Sequence, residues 1–238
     1  MVEILKLKNL SKSFGAVTVT DQLNCSLKNG EALGIIGPNG AGKTSMFNLI
    51  TGTLKPDSGQ IFFAGNDITH SNAAKRSRSG IARSFQVPQP FSGLSVFENA
   101  MVAATQSAGL YGKKAEQYCL SILNQTELLP KANILAGSLT LLELKRLELT
   151  RALCTRPKLL LLDEIAGGLT DDECTSLVNT IKNIHKSGVS IIWIEHVVQA
   201  VLAVVDRLMV INFGKKIAEG NPESIIKSRE VQEIYLGI

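Results

Sequence analysis

The sequence is short of charge. Asp, Glu, Lys and Arg make up 19% of its 238 residues, below the roughly 25% of ordinary soluble chains, which points to a face made to be covered by something else. The two signs nearly cancel, 25 Lys and Arg against 21 Asp and Glu. A formal charge of +4 is too mild to argue a nucleic-acid partner. The cysteines Cys25, Cys119, Cys154 and Cys174 form no Cys-x-x-Cys pair, so neither a zinc site nor a disulfide framework is indicated. Free, mostly buried thiols in a reducing compartment are expected. No long apolar run is unbroken. The greasiest stretch, Ile191 to Ile211, is interrupted by Glu195, His196, Asp206 and Arg207 and cannot cross a bilayer as one apolar helix. The opening residues, Met1 to Lys6, contain no apolar signal-peptide core, and repeats and low-complexity tracts are missing too. These absences predict a cytoplasmic globular chain of one large domain or two small ones, which reaches a membrane only through a partner.

Short apolar segments supply the architecture. Val2, Ile4, Leu5 and Leu7 read as an opening strand and Gln60–Phe63 as another. Leu33–Ile36, Leu159–Leu162, Ser190–Ile194 and Leu208–Ile211 are unbroken apolar runs, the mark of strands buried on both faces of a parallel sheet. Between about Gln89 and Arg156 the patterning is helical, without comparable strand runs. The chain therefore reads as an α/β core of residues 1–88 and 158–238, with a helical subdomain, 89–157, inserted. Lys75, Arg76, Arg78 and Arg83 form a basic cluster, read as a solvated face.

The chemistry begins at Gly37-Pro38-Asn39-Gly40-Ala41-Gly42-Lys43-Thr44, which meets every position of G-x-x-x-x-G-K-[ST] between a strand and a helix. Glycines let backbone N–H groups close around phosphate oxygens. The helix opened by Thr44 and Ser45 adds its positive end. Lys43 would neutralise the β- and γ-phosphates of a nucleoside triphosphate and the Thr44 hydroxyl would complete a Mg²⁺ shell. Leu159–Leu162 runs into Asp163-Glu164. An acid at the end of a buried strand, Asp163, would hold Mg²⁺, and Glu164 would deprotonate an attacking water. Ile194-Glu195-His196 repeats the pattern of strand followed by polar residues.

On these residues the chain resembles the ATP-binding subunits of ABC transporters, from Val2 to Leu236. The resemblance implies a P-loop NTPase fold with a mainly parallel central sheet, an N-terminal antiparallel β subdomain and the inserted helical subdomain. It implies that Gln86, in Ser84-Phe85-Gln86, reads the γ-phosphate and Mg²⁺ and passes that state to membrane subunits. It makes His196 the switch histidine and stacks the Phe14 ring on adenine. Gly80–Gln86 and Leu94–Asn99 look most like branched-chain amino acid importers, and the ending Gln232–Gly237 is shared by these and by the lipopolysaccharide-exporter ATPase. The implied function is the energy-coupling ATPase of a membrane importer for branched-chain amino acids or similar small polar solutes, peripheral on the inner face of the cell membrane. A lipid-type exporter ATPase and a soluble non-transport ABC ATPase are the alternatives.

The chain departs from the family on one side. The signature Leu-Ser-Gly-Gly-Gln is replaced by Leu139-Thr140-Leu141-Leu142-Glu143, which is also a capping box with Thr140 as N-cap. Thr140 and the helix end keep groups for a phosphate, but two leucines stand where glycines would allow close approach. Ile165 replaces the usual proline, and Thr170 the usual Asp or Asn. Because the resemblance implies that signature and D-loop face the other subunit's nucleotide, it favours a heterodimer with a second, different ATPase subunit over a homodimer.

Overall fold

The computed structural model describes residues 2–236. Met1, Ile238 and Gly237, the last residue of the ending shared by importer and exporter ATPases, lie outside the described residues. In chain order the first part comprises β1 (Glu3–Phe14), β2 (Val17–Lys28), β3 (Ala32–Ile36), α1 (Lys43–Thr51), β4 (Ser58–Phe63), β5 (Asn66–Asp67), α2 (Ala73–Ser79) and β6 (Ile81–Arg83). Three α-helices follow, α3 (Val96–Gln106), α4 (Gly112–Gln125) and α5 (Leu141–Cys154). Strands and helices then alternate as β7 (Leu159–Asp163), α6 (Asp171–Lys186), β8 (Ser190–Ile194), α7 (Val198–Leu202), β9 (Arg207–Asn212) and β10 (Lys215–Gly220), closing with α8 (Pro222–Ile226) and α9 (Arg229–Leu236).

Two sheets result. β2-β1-β4-β5 is antiparallel, and β1 runs on past Leu7 because its tail pairs with β2 as far as Phe14 opposite Val17. The second sheet has the order β10-β9-β3-β8-β7-β6, parallel throughout except where β10 returns beside β9. The expected α/β fold with its antiparallel and mainly parallel sheets is therefore present. The four unbroken apolar runs are β3, β7, β8 and β9, and alternation explains why they need no polar face. Leu160, Leu162, Ile191, Trp193, Leu208 and Val210 pack on one side against the helices that include α5 and α6. Leu159, Leu161, Ile192, Ile194, Met209 and Ile211 pack on the other against α1 and the antiparallel sheet.

The basic cluster departs from its reading as a solvated face. Lys75 and Arg78 are exposed, but Arg76 is buried. Its guanidinium donates to the carbonyls of Leu49 (2.6 Å) and Ile50 (2.9 Å) at the end of α1, and to those of Thr69 and Ser71. The last carbonyls of a helix have no intrahelical partner, and a cation there also meets the negative end of the dipole. Arg83 is likewise buried, against Asp163. Capping settles two departures in the sequence. Thr140 caps α5 in a box with Glu143, and Thr170 caps α6 in a box with Glu173, a position where Thr substitutes readily for Asp or Asn.

Candidate active site

The Gly37–Thr44 loop is wedged between strands. A Cβ on Gly37 would stand 2.1 Å from the Ile211 carbonyl oxygen, and one on Gly42 would stand 2.0 Å from that of Val19. Only glycine fits at either place, and Gly42, at φ 102°, also needs the left-handed region. α1 starts with no side-chain cap and no acid in its first turn. Its first residues Lys43, Thr44 and Ser45, with Val19, Asn39 to Gly42 and Glu164, line a cavity of about 200 Å³. An open helix N-terminus beside a lysine is built to hold an anion. Pro38 belongs to the same loop, and its carbonyl accepts from the Lys43 ammonium at 2.9 Å, as that of Gly37 does at 2.7 Å. Burial holds the Lys43 pKa below its usual value, against the pull of Glu164 and Asp163.

Asp163 ends β7 in the buried interior. Burial raises its pKa, and Arg83 opposes this with a 2.5 Å hydrogen bond to Oδ2. Arg83 also donates to Asn48 of α1 at 2.6 Å. Glu164 follows at φ 46°, a left-handed conformation that costs a non-glycine residue energy and recurs at functional sites. Its N–H donates to the Ile194 carbonyl (2.8 Å). Its side chain meets two others. Gln86 Nε2 donates to Oε2 at 2.5 Å, and His196 Nε2 lies 2.9 Å from Oε1. A carboxylate held between an amide and an imidazole, at the rim of an anion cavity, can orient a water and take its proton.

The structure thus brings Gln86, Glu164 and His196 together, beside the cavity lined by Lys43, Thr44 and Ser45. It does not bring Phe14 or Thr140 there. Phe14 lies at the end of β1, 53% exposed, with the Lys12 ammonium 5.4 Å from its ring centroid. Thr140 is exposed at the start of α5 and is not part of the cavity wall. Thr44, Gln86 and Asp163 offer oxygen donors of the kind Mg²⁺ takes, so the donor set fits that ion. Sequence reasoning missed Val19 in the cavity wall and Arg83 against Asp163. Val19 carried no motif, and Arg83 was absorbed into its basic neighbours.

Beside Gln86 lies an apolar segment of which only part is exposed. Phe85, Val87 and Phe91 are exposed, but Val96 is fully buried and Phe97 packs on the core. Phe85 and Phe91 border a groove of about 340 Å³ between the β6 and α2 region and helices α3 and α5.

Comparison with known proteins agrees with this architecture. A family model described as ABC transporter matches residues 20–167. The chain is 34% identical to a probable branched-chain amino acid transport ATP-binding protein, LivG, of Archaeoglobus fulgidus, covering 99% of this chain and 96% of that one. It is 33% identical to the high-affinity branched-chain amino acid transport ATP-binding protein BraF of Pseudomonas aeruginosa, over 98% of each. Among solved structures, the ADP conformation of MJ1267, an ATP-binding cassette of an ABC transporter, superposes with a TM-score of 0.91 at 31% identity, over the whole of both chains.

Proposed function

The chain belongs to the ABC transporter family as an ATP-binding, ATP-hydrolysing cassette, and on that premise we propose that it drives a membrane importer of branched-chain amino acids or similar small polar solutes. Full-length similarity to LivG and BraF supports the substrate class. One observation supports energy coupling: the loop that places Gln86 on the Glu164 carboxylate continues directly into the exposed Val87 to Phe91 segment. A partner pressing on that segment can move Gln86. Exposed apolar patches bordering a groove mark interaction surfaces, and the partner here is a permease helix on the inner face of the membrane. Among the described residues no helix is long and apolar enough to cross a membrane, so attachment runs through permeases. Nucleic acid has no part in this reading.

The chain's residues divide the work as follows. Gly37 to Ser45 wrap the phosphates with backbone N–H groups, and the Lys43 ammonium meets the outer ones. Glu164 orients the attacking water and accepts its proton, His196 and Gln86 hold that carboxylate, and Phe14 stacks on the adenine. Thr44, Gln86 and Asp163 would hold Mg²⁺, which supplies charge neutralisation on the phosphates when bound. Thr140 and the α5 terminus face the nucleotide of a second, different cassette. The unit 89–157 works as a helical subdomain set into the core formed by 1–88 and 158–238.

Reconstitution with the host's permeases in lipid vesicles tests the reading. ATP-dependent uptake of labelled leucine that disappears with Glu164→Gln is the expected result. ATP turnover without uptake of any branched-chain amino acid would contradict the assigned cargo.

A further inference from the structure

Lys145, on α5, is 3% exposed, and no part of the ATPase reading uses it. A buried ammonium is expensive unless hydrogen-bonded and near negative charge. Its bonds are specific. Nζ donates to the Gln86 carbonyl oxygen at 2.7 Å and to the Glu164 carbonyl oxygen at 3.3 Å. These are the two residues whose side chains meet at 2.5 Å. A ring is therefore closed: side chain to side chain on one side, backbone to ammonium to backbone on the other. Burial lowers the Lys145 pKa, and Glu195, Glu164 and Glu148 act against that.

Glu195 extends the frame. It is 1% exposed, and its carboxylate accepts from the N–H of Ala166 (3.0 Å) and the N–H of His196 (3.0 Å). One buried cation and one buried anion thus fix the backbone of Gln86, of Glu164 and its following turn, and of His196. Such restraint is what Glu164 requires, because its φ of 46° persists only where the surroundings impose it. Lysine suits this position because three donors on a flexible stem can reach two carbonyls that face different ways.

We propose that Lys145 is a positioning residue that ties the loop carrying Gln86 to the turn carrying Glu164. A displacement of the exposed segment from Gln86 to Phe91 then reaches the Glu164 carboxylate through one buried ammonium on the signature helix. The kinetic consequence rests on the ATPase reading; the tie itself does not.

The test uses Lys145→Met in the full chain, with Lys145→Gln, which keeps a single donor group, as the second variant should the first not fold. In nucleotide-free protein, amide hydrogen exchange at Gln89, Glu164 and Gly167 should quicken roughly tenfold while α4 keeps its wild-type protection. Unchanged protection at all three overturns the tie. In turnover assays, kcat should fall about tenfold or more with KM for ATP nearly constant, because small misplacements of reacting groups are costly. In a Gln86→Ala background the same substitution should cost less, since the side chain being positioned is gone. Equal fractional losses in both backgrounds would overturn positioning through Gln86. A wild-type chain that binds no ATP and shows no turnover would refute the ATPase reading alone, and the exchange result would still decide the tie.

Discussion

The Nε2 atom of His196 lies 2.9 Å from Oε1 of Glu164, and strand register puts it there. β7 and β8 are parallel neighbours with Asp163 opposite Ile194, so the residues just beyond those partners emerge side by side at one end of the sheet. A slip of one residue would turn one of the two side chains to the opposite face. The apolar runs that lock the register therefore also bring the Glu164 carboxylate and the His196 imidazole together.

Lys43 should be decisive for nucleotide binding. Its ammonium already sits among loop carbonyls at the uncapped start of α1. A hydrogen bond to a charged group contributes about 1.5–3 kcal/mol, so Lys43→Ala should weaken ATP binding about 10–100-fold. Calorimetric titration giving equal affinity for both proteins would remove Lys43 from the site.

Arg83 should matter for stability. It is the ion-pair partner of Asp163, and both side chains are buried. Removing one member of a buried pair leaves an uncompensated charge, at a cost of about 3–5 kcal/mol. Urea unfolding of Arg83→Met at neutral pH should show a loss of that order; a midpoint matching wild type would mean that Asp163 gains nothing from the pair.

How much of this was legible in the sequence depended on whether a residue's role was local. Leu33–Ile36 with Gly37–Thr44, and Leu159–Leu162 with Asp163-Glu164, could be read because strand, turn and helix signals are contiguous. The capping box at Thr140 was legible for the same reason, since its partner Glu143 lies one turn away. Arg76 was misread because its targets, the carbonyls of Leu49 and Ile50, are far away in sequence. Lys145 was invisible: it looks like any lysine of an amphipathic helix, and only the fold brings it to the carbonyls of Gln86 and Glu164. β2 and β10 were missed because both carry polar residues throughout and take their strand form from pairing with β1 and β9.

The two helix starts predict unequal sites. α1 is open, whereas α5 is closed by Thr140 and Glu143, the latter also paired to Lys131 at 2.6 Å. Leu141 is 43% exposed and would touch a side chain at Gly168, while Leu142 packs on the core. The isolated chain should therefore turn over ATP slowly, and a partner cassette with a glycine signature should raise the rate. Leu141→Gly, with Leu142→Gly added, should also raise activity of the chain alone, the gain coming from Leu141 and the second change mainly costing about 1 kcal/mol or more of stability. Rapid turnover by the unmodified chain, without gain from glycine, would show that leucines at the signature are compatible with hydrolysis.

Thiol reactivity gives an independent check of packing. Cys25, Cys119 and Cys154 are buried and Cys174 is half-buried, and burial pushes the Cys25 pKa up to about 12. Thiolate is the reactive form. Burial raises the Cys174 pKa as well, so a thiol reagent at neutral pH should label Cys174 slowly in the folded chain and the other three only after unfolding. Rapid labelling of all four would contradict the core arrangement.

Glu164→Gln tests whether the proposed base of the ATP-hydrolysing site is this carboxylate. The amide keeps the shape between Gln86 and His196 but cannot take a proton from water. ATP binding, followed with a fluorescent analogue, should stay near wild type while hydrolysis, assayed with the partner cassette present, falls about 10²–10⁴-fold. Turnover close to wild type at the site formed by this chain's own Gly37–Thr44 loop would contradict the assignment.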